Sequence, residues 1–290
     1  MPTVVHEPAE MRAIVAESRA GGRRVGFVPT MGALHAGHAS LAARAVAECD
    51  DVAVSIFVNP TQFGPQEDFG RYPRTFAADL ELLAARRVRW VYAPSAEAVY
   101  PPGECTRILV GGPAVPLEGE RRPGHFDGVA TVVCKLFMTV PAHAAYFGAK
   151  DWQQTRVVKR MTRDLGLPIE IVVCPTVREA DGLAMSSRNA YLSPAERARA
   201  VGLIEALRAA ASLWAARAPV AEIEEAMRTA IAARGIAVDY AMLADPESIE
   251  PLRVGADRAV ALVAGRLGST RLIDALELPP RGAIDGAGAD

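Results

Sequence analysis

Between residue 23 and about residue 174, short runs of β-branched and aromatic residues alternate with stretches of helical spacing. Few folds accommodate such a chain: parallel strands need crossover connections, helices supply them, and the sheet ends up covered on both faces. The expected strands are residues 25–28, 52–58, 88–92, 107–110, 144–147 and 169–173. Residues 39–48, 75–86 and 151–165 carry apolar side chains at helical spacing between them. Residues 1–184 are therefore expected to form an α/β domain on a doubly wound parallel sheet.

After residue 185 the texture changes to two long Ala-rich helical patterns followed by β-like runs without helices between them. The first helix opens at Ser193-Pro194-Ala195-Glu196, where serine at N-cap, proline at N1 and glutamate at N3 make a capping box, and is expected to run to 217. The second spans 220–234 and stops at Gly235, a residue suited to the left-handed C-terminal position. Residues 236–243, 259–264 and 271–276 read as a small antiparallel sheet, with turns at 255–257 and 265–269. Residues 185–278 thus read as a smaller α+β domain placed to act as a lid, hinged near residues 179–189. Residues 279–290 are Pro, Gly and Ala with little to pack, as in a mobile tail.

The charge balance narrows the function. Lys and Arg number 32 against 34 for Asp and Glu, a formal charge of −2, so no basic excess is available for a phosphate backbone and a nucleic-acid partner is disfavoured. The longest apolar run, at 52–58, is far short of the roughly 18 residues of a membrane span. Glu7, Glu10 and Arg12 stand where a signal peptide needs an apolar core, so a soluble cytoplasmic protein is expected. Cys49, Cys105, Cys134 and Cys174 show no C-x-x-C spacing, and neither disulfides nor a structural zinc site is indicated.

Polar residues of the first half gather just after the expected strands. Pro29-Thr30-Met31-Gly32-Ala33-Leu34-His35-Ala36-Gly37-His38 follows the first, and Asn59-Pro60-Thr61-Gln62-Phe63-Gly64 the second. Gly148-Ala149-Lys150-Asp151-Trp152-Gln153-Gln154 follows the fifth, and Pro175-Thr176-Val177-Arg178 the sixth. In an open parallel sheet these loops emerge at the carboxyl edge, where ligands bind. The first loop feeds a helix whose leading N–H groups favour an anion, and His35 and His38 lie on one face if that helix has begun. Two imidazoles there can donate to phosphate oxygens and to charge developing on an attacked phosphate. An isolated H-x-x-H is more often a surface turn, and a zinc pair lacks a third ligand. Neither G-x-x-x-x-G-K-[ST] nor G-x-G-x-x-G is present, so ATP would be seated by the H-x-G-H turn and a later basic, Ser-rich loop. Met185-Ser186-Ser187-Arg188 supplies that loop, two hydroxyls and a guanidinium suited to pyrophosphate.

With these segments assembled, the chain resembles the pantothenate synthetase family, also called pantoate-beta-alanine ligases. The matching stretches are residues 29–41, 55–64, 67–74, 122–138, 147–154 and 177–192, which together cover most of the first domain and the hinge. Trp152 stands where the family more often has another aromatic, and Ala77 and Ala78 where a helix start is often more acidic, so the Mg²⁺ ligands stay unassigned. The resemblance implies a Rossmann-like fold of the nucleotidyltransferase superfamily, shared with class I aminoacyl-tRNA synthetases. It implies a cytoplasmic homodimer using ATP and Mg²⁺ to join (R)-pantoate to beta-alanine through an enzyme-bound pantoyl adenylate, releasing pyrophosphate and AMP.

Residue by residue, the resemblance casts His38, His35, Lys150 and Arg188 as catalytic, and assigns the nucleotide to Met31, Gly32, Ala33, Leu34, His35, Ala36, Gly37 and His38. Gly148, Ala149, Lys150, Asp151, Val177, Met185, Ser186, Ser187 and Arg188 complete that set, with Asp151 on the ribose hydroxyls. Gln62 and Gln154 become pantoate ligands, since a neutral amide binds a carboxylate and hydroxyls without neutralising the nucleophile. Asn59, Tyr72, Arg122 and His125 are further candidates for the pocket or its lid, although Arg122 and His125 equally suit the surface of a long loop. The pair Glu67-Asp68 reads as a solvated or capping feature. Two competing readings are a nucleotidyltransferase with a nucleotide-linked product, which would not need Gln62 and Gln154, and a non-catalytic nucleotide-binding module, which leaves the histidines, Lys150 and the Ser-Ser-Arg loop unexplained.

Overall fold

The alternating half of the chain builds a six-stranded parallel sheet in the computed structural model, which describes residues 1–65, 67–253 and 255–281. The strands are β1 (Thr3–Val5), β2 (Val25–Thr30), β3 (Asp51–Ile56), β4 (Trp90–Tyr92), β5 (Ala144–Gly148) and β6 (Glu170–Cys174), in the spatial order β1-β4-β3-β2-β5-β6. The chain steps outward from β2 through β3 and β4 on one side, then returns to β5 and β6 on the other. The carboxyl ends of β2 and β5 therefore flank the topological switch point, where ligands of open α/β sheets bind.

Helices α1 (Pro8–Ala20), α2 (Ala36–Glu48), α3 (Phe76–Ala85), α4 (Ala96–Val99), α5 (Glu118–Arg121), α6 (His125–Thr139) and α7 (Trp152–Asp164) connect the strands. Successive strand residues face opposite sides, so each strand feeds two apolar layers. Val25, Phe27, Ala53 and Ala145 pack with Met11 and Val15 of α1, Phe137 of α6 and Val157 of α7. Val28, Val52 and Val54 pack with Leu41 and Ala45 of α2 and Leu83 of α3. Phe27 is fully buried, edge-on to Phe137, and Phe27→Ala at such a site costs about 3–5 kcal/mol.

The second half forms α8 (Pro194–Arg199), α9 (Gly202–Ala215), α10 (Val220–Ala233) and an antiparallel sheet of β7 (Ala237–Ala244), β8 (Ala259–Leu267) and β9 (Thr270–Leu278). Leu203, Leu207 and Trp214 of α9 and Ile223, Met227 and Ile231 of α10 cover Ala241, Leu243, Ala261 and Val263 of the sheet. Contacts divide the chain into one unit of Met1–Gly148 with Gln153–Val177, and another of Ala149–Trp152 with the chain from Arg178 onward. Residues 178–184, expected in the first domain, belong to the second because Arg178 bridges Ala184 and pairs with Asp274 of β9.

Several elements differ from the sequence expectation. Residues 107–110 are β-rich yet form no strand: Ile108 N–H donates to Thr131 Oγ1 of α6 at 2.9 Å, so the run lies along a helix instead of a strand partner. The sixth strand is instead β1, three residues long and paired with β4. The helix expected over 193–217 tightens at residues 200–201 and resumes at Gly202, where a Cβ would sit 2.8 Å from Arg234 Cγ. The last turn is shorter than 265–269. Gly265 lies within β8, where only glycine fits against Ile236, and the β8–β9 hairpin turns at Gly268 with φ +55°. Of the expected tail, residues 282–290 lie outside the described residues.

Candidate active site

The turn after β2 is held by a residue that sequence reasoning missed. Asp79 of α3 is buried, and its carboxylate accepts from Ala33 N–H at 3.0 Å, Leu34 N–H at 2.8 Å and the Thr75 hydroxyl at 3.0 Å. These bonds hold Gly32 and Ala33 in the left-handed region, at φ +83° and +50°. A Cβ on Gly32 would lie 3.0 Å from Ile56 Cγ2, so the position suits glycine on both counts. The N–H groups of Ala33 and Leu34 are thereby taken up by the Asp79 carboxylate. A single acidic residue in an otherwise apolar helix start was the available signal for Asp79.

Helix α2 begins at Ala36, so His35 is its N-cap and only His38 is helical. Gly37 N–H donates to His35 Nδ1 at 3.1 Å, and His35 N–H donates to His38 Nδ1 at 3.4 Å. A ring nitrogen that accepts from an amide carries no proton, so each neutral imidazole holds its proton on Nε2. The rings lie 4.2 Å apart between centroids, placing two Nε2–H donors together at the positive end of a helix.

Gln62 ends a 3₁₀ turn, Pro60–Gln62, that follows β3. Asn59, 1% exposed, determines how Gln62 faces. Asn59 Oδ1 accepts from Thr61 N–H, the Thr61 hydroxyl and Tyr100 Oη–H, so its Nδ2 must donate, and it does so to Gln62 Oε1 at 3.0 Å and Gly128 O at 3.2 Å. With Oε1 occupied, Gln62 turns its Nε2 to Met31 Sδ at 3.2 Å, a weak acceptor easily exchanged for a carboxylate. Asn59 thus stands behind Gln62. Tyr72 is also buried, edge-on to Phe63.

His125 is buried and Arg122 is half-buried beside it. Glu67 grips Arg122 through Nε and Nη2 at 2.7 Å each, which gives that carboxylate a partner in place of the solvated role expected of it. Arg122 Nη1 lies 2.9 Å from His125 Nε2, and His125 Nδ1 lies 2.9 Å from Gln62 O. Burial, and then the Arg122 charge, push the His125 imidazolium down to about 4.

The segment after β5 separates two adjacent glutamines. Gln153 is buried, accepting from Glu118 N–H and donating to Pro113 O and Pro116 O. Gln154, one position on in the first turn of α7, is half-buried, as are Gly148 and Val177. In the second unit, Lys150 Nζ donates to Asp151 Oδ1 at 3.0 Å, and Trp152 Nε1 donates to Pro246 O.

The loop carrying Met185, Ser186, Ser187 and Arg188 is built on charges. Arg178 donates to both oxygens of buried Asp274, at 2.6 and 3.1 Å, and to Gly182 O. Arg197 pairs with Glu179 and Asp181, and Asn189 Nδ2 donates to Glu179 and Ala184 O. Ser186 caps a 3₁₀ turn, Ser187–Tyr191, accepting from Arg188 N–H at 3.3 Å, which leaves its own proton to donate. All four residues of the segment are half-buried.

Mg²⁺ finds no protein cage. Among the described residues no group of three His, Cys, Asp or Glu is placed to hold a metal ion, and both oxygens of Asp79 already accept hydrogen bonds. No helix of the described residues is long and apolar enough to cross a membrane.

The chain is similar to known proteins over most of its length. The family model described as pantoate-beta-alanine ligase matches residues 3–277. A pantothenate synthetase of Roseiflexus sp. (strain RS-1) is 57% identical over 251 residues, 86% of this chain and 90% of that protein. One of Chloroflexus aurantiacus is 52% identical over 274 residues, 93% of this chain and 96% of that protein. The crystal structure of pantothenate synthetase from Thermus thermophilus superposes with a TM-score of 0.91 at 48% identity, covering 96% of this chain and 100% of that one. That of pantoate-beta-alanine ligase from Francisella tularensis, complexed with beta-gamma ATP and beta-alanine, has a TM-score of 0.80 at 33% identity, covering 96% of this chain and 98% of that one. The chain therefore belongs to the pantoate-beta-alanine ligase family.

Proposed function

We propose that this chain joins (R)-pantoate to beta-alanine in two steps on one enzyme. A pantoate carboxylate oxygen attacks the α-phosphorus of ATP, the bond to the bridging oxygen breaks, and pyrophosphate leaves. The beta-alanine ammonium loses one proton to solvent, the resulting amine attacks the acyl carbon of the pantoyl adenylate, and the nitrogen gives up a second proton to solvent as AMP leaves with the electron pair of the broken C–O bond.

The observation that carries the reading is the pair of cap hydrogen bonds that fix Nε2–H on both His35 and His38. A carboxylate is already ionised at neutral pH, so the first step needs alignment and charge stabilisation more than a base. Two fixed donors at a helix N-terminus supply that stabilisation to phosphate oxygens, with His38 the catalytic donor. Gln62 offers Nε2–H to the pantoate carboxylate because Asn59 holds its Oε1, and Gln154 serves the pantoate hydroxyls. Met31, Gly32 and the backbone of Ala36 and Gly37 line the nucleotide on one segment, and Gly148, Ala149 and the Val177 backbone on others. Asp151 takes the ribose. Lys150 and Arg188 act on phosphate oxygens as charges, with Ser186 and Ser187 as hydroxyl donors and Met185 beside them. Mg²⁺ arrives with ATP, since its preference for phosphate oxygens and water needs no cage of carboxylates. The family reading carries with it a cytoplasmic homodimer.

Pyrophosphate and AMP release test the proposal directly. Pyrophosphate is expected with ATP, Mg²⁺ and (R)-pantoate alone, and sustained AMP and pantothenate only once beta-alanine is added. ADP, a lasting nucleotide-linked product, or ATP binding without turnover would overturn it.

A further inference from the structure

We propose that His125, clamped by Arg122 and Glu67, is a positioning residue that aims Gln62 at the carboxylate nucleophile; this rests on the reading of Gln62 as a pantoate ligand. Two partners of opposite hydrogen-bonding character fix the ring. The Gln62 carbonyl can only accept, so His125 Nδ1 carries the proton and donates to it at 2.9 Å. The Arg122 guanidinium can only donate, so it gives Nη1–H to the bare Nε2 at 2.9 Å. A neutral imidazole satisfies both neighbours; an imidazolium would face a guanidinium N–H. Burial and the adjacent positive charge agree, holding the ring neutral down to about pH 4.

The other end of the clamp is equally determinate. Glu67 takes Arg122 in a two-bond fork at 2.7 Å, and Glu118 lies 3.8 Å from Arg122 Nη1. The guanidinium is thereby occupied in holding the histidine, in place of the substrate contact the sequence allowed. Helix α6 presses its first turn against the Gln62 turn: a Cβ on Gly128 would lie 2.4 Å from Thr61 O and 2.7 Å from Gln62 Cα. Gly128 O also accepts from Asn59, which in turn orients the Gln62 amide. The Gln62 peptide and side chain are thus each fixed by a separate hydrogen bond, one from His125 and one from Asn59. A short loop carrying a substrate ligand is converted into a rigid mount, the arrangement that keeps a reacting carboxylate in line.

The test is a double-mutant cycle between His125→Phe and Gln62→Ala, read as pantoate-dependent pyrophosphate release. His125→Phe should lower kcat/KM for pantoate about tenfold while the KM for ATP moves less than about twofold. His125→Asn, which restores an N–H near the position of Nδ1, should recover most of that loss, and Arg122→Lys should cost less than His125→Phe. In the Gln62→Ala background His125→Phe should add almost nothing, because the group being aimed is gone. Additive losses would mean that His125 touches substrate itself and would overturn the proposal, as would an equal loss toward ATP and pantoate, the mark of general loosening. If Gln62→Ala leaves pantoate binding intact while His125→Phe weakens it, the positioning of Gln62 falls. If both variants are silent, the Gln62 reading falls with it. Circular dichroism and thermal denaturation of each variant establish that the fold is retained.

Discussion

The turn at residues 30–38 hangs from a buried carboxylate that accepts backbone N–H groups, whereas the loop at residues 178–189 is braced mainly by half-exposed ion pairs with one buried pair at its root. The first arrangement is insensitive to salt and leaves little room for movement, because a lost bond would orphan a buried polar group. The second is screened by salt and inexpensive to rearrange. The two segments are therefore held by different physics, a fixed hydrogen-bond array in one unit and an adjustable set of ion pairs in the other.

The comparison breaks most visibly at the root of the second loop. Arg178→Ala leaves the Asp274 carboxylate buried without its partner, and a loss of about 4 kcal/mol is expected, confined to the second unit. Hydrogen exchange by mass spectrometry localises it; a loss spread over both units would show that the pair is not a local anchor. Asp79→Ala strips two half-buried N–H groups of their acceptor and should cost about 3 kcal/mol, with pantoyl adenylate formation falling about a hundredfold as the turn before His35 relaxes. Rapid-quench measurement of the first turnover checks it, and an unchanged rate would remove Asp79 from the site's support.

Acid separates the two units, since the pKa of a buried carboxyl is lowered in the first, at Asp51, and raised in the second, at Asp274. Burial pushes Asp51 up, but hydrogen bonds from Arg23, Arg89 and Ser18 outweigh it and hold the carboxyl at about 2. Its folded pKa lies below the unfolded one near 3.9, so its contribution of about 2 kcal/mol is present above pH 4 and lost as pH falls toward 2. Burial pushes Asp274 up despite Arg178, so its contribution runs the other way, present in acid and lost as pH rises through the folded pKa. Between pH 5 and 2.5 the first unit should therefore lose protection first. Exchange measured across that range decides it, and Asp51→Asn should abolish the difference. The smallest effect is expected at Arg197→Gln, below about 1 kcal/mol and shrinking further in about 0.5 M salt. Thermal midpoints at low and high salt are the measurement, and a salt-independent loss would contradict the adjustable brace.

The alternation of strands and helices was legible because both faces of the sheet are buried, leaving near-continuous apolar strands between amphipathic helices. β1 was not, since three residues carry no periodicity and its partner β4 lies far along the chain. Residues 107–110 failed for the converse reason: their composition suits a strand, but Ile108 N–H is taken by Thr131 of α6. The phosphate motifs were legible as residue types, yet the roles within them were not. Side-chain chemistry does not distinguish Gln153, whose amide is occupied by Glu118, Pro113 and Pro116, from Gln154 beside it, and only the family resemblance singled out Gln154.

By itself, then, the sequence determined the α/β class and the position of the loops after the strands, because each follows from local pattern. The tertiary structure alone decided which nitrogens of His35, His38 and His125 carry protons, which way Gln62 points, and that Asp79 takes the N–H groups of Ala33 and Leu34. Those outcomes depend on hydrogen bonds between residues tens of positions apart, and a donor or acceptor has no assigned role until the fold supplies its partner.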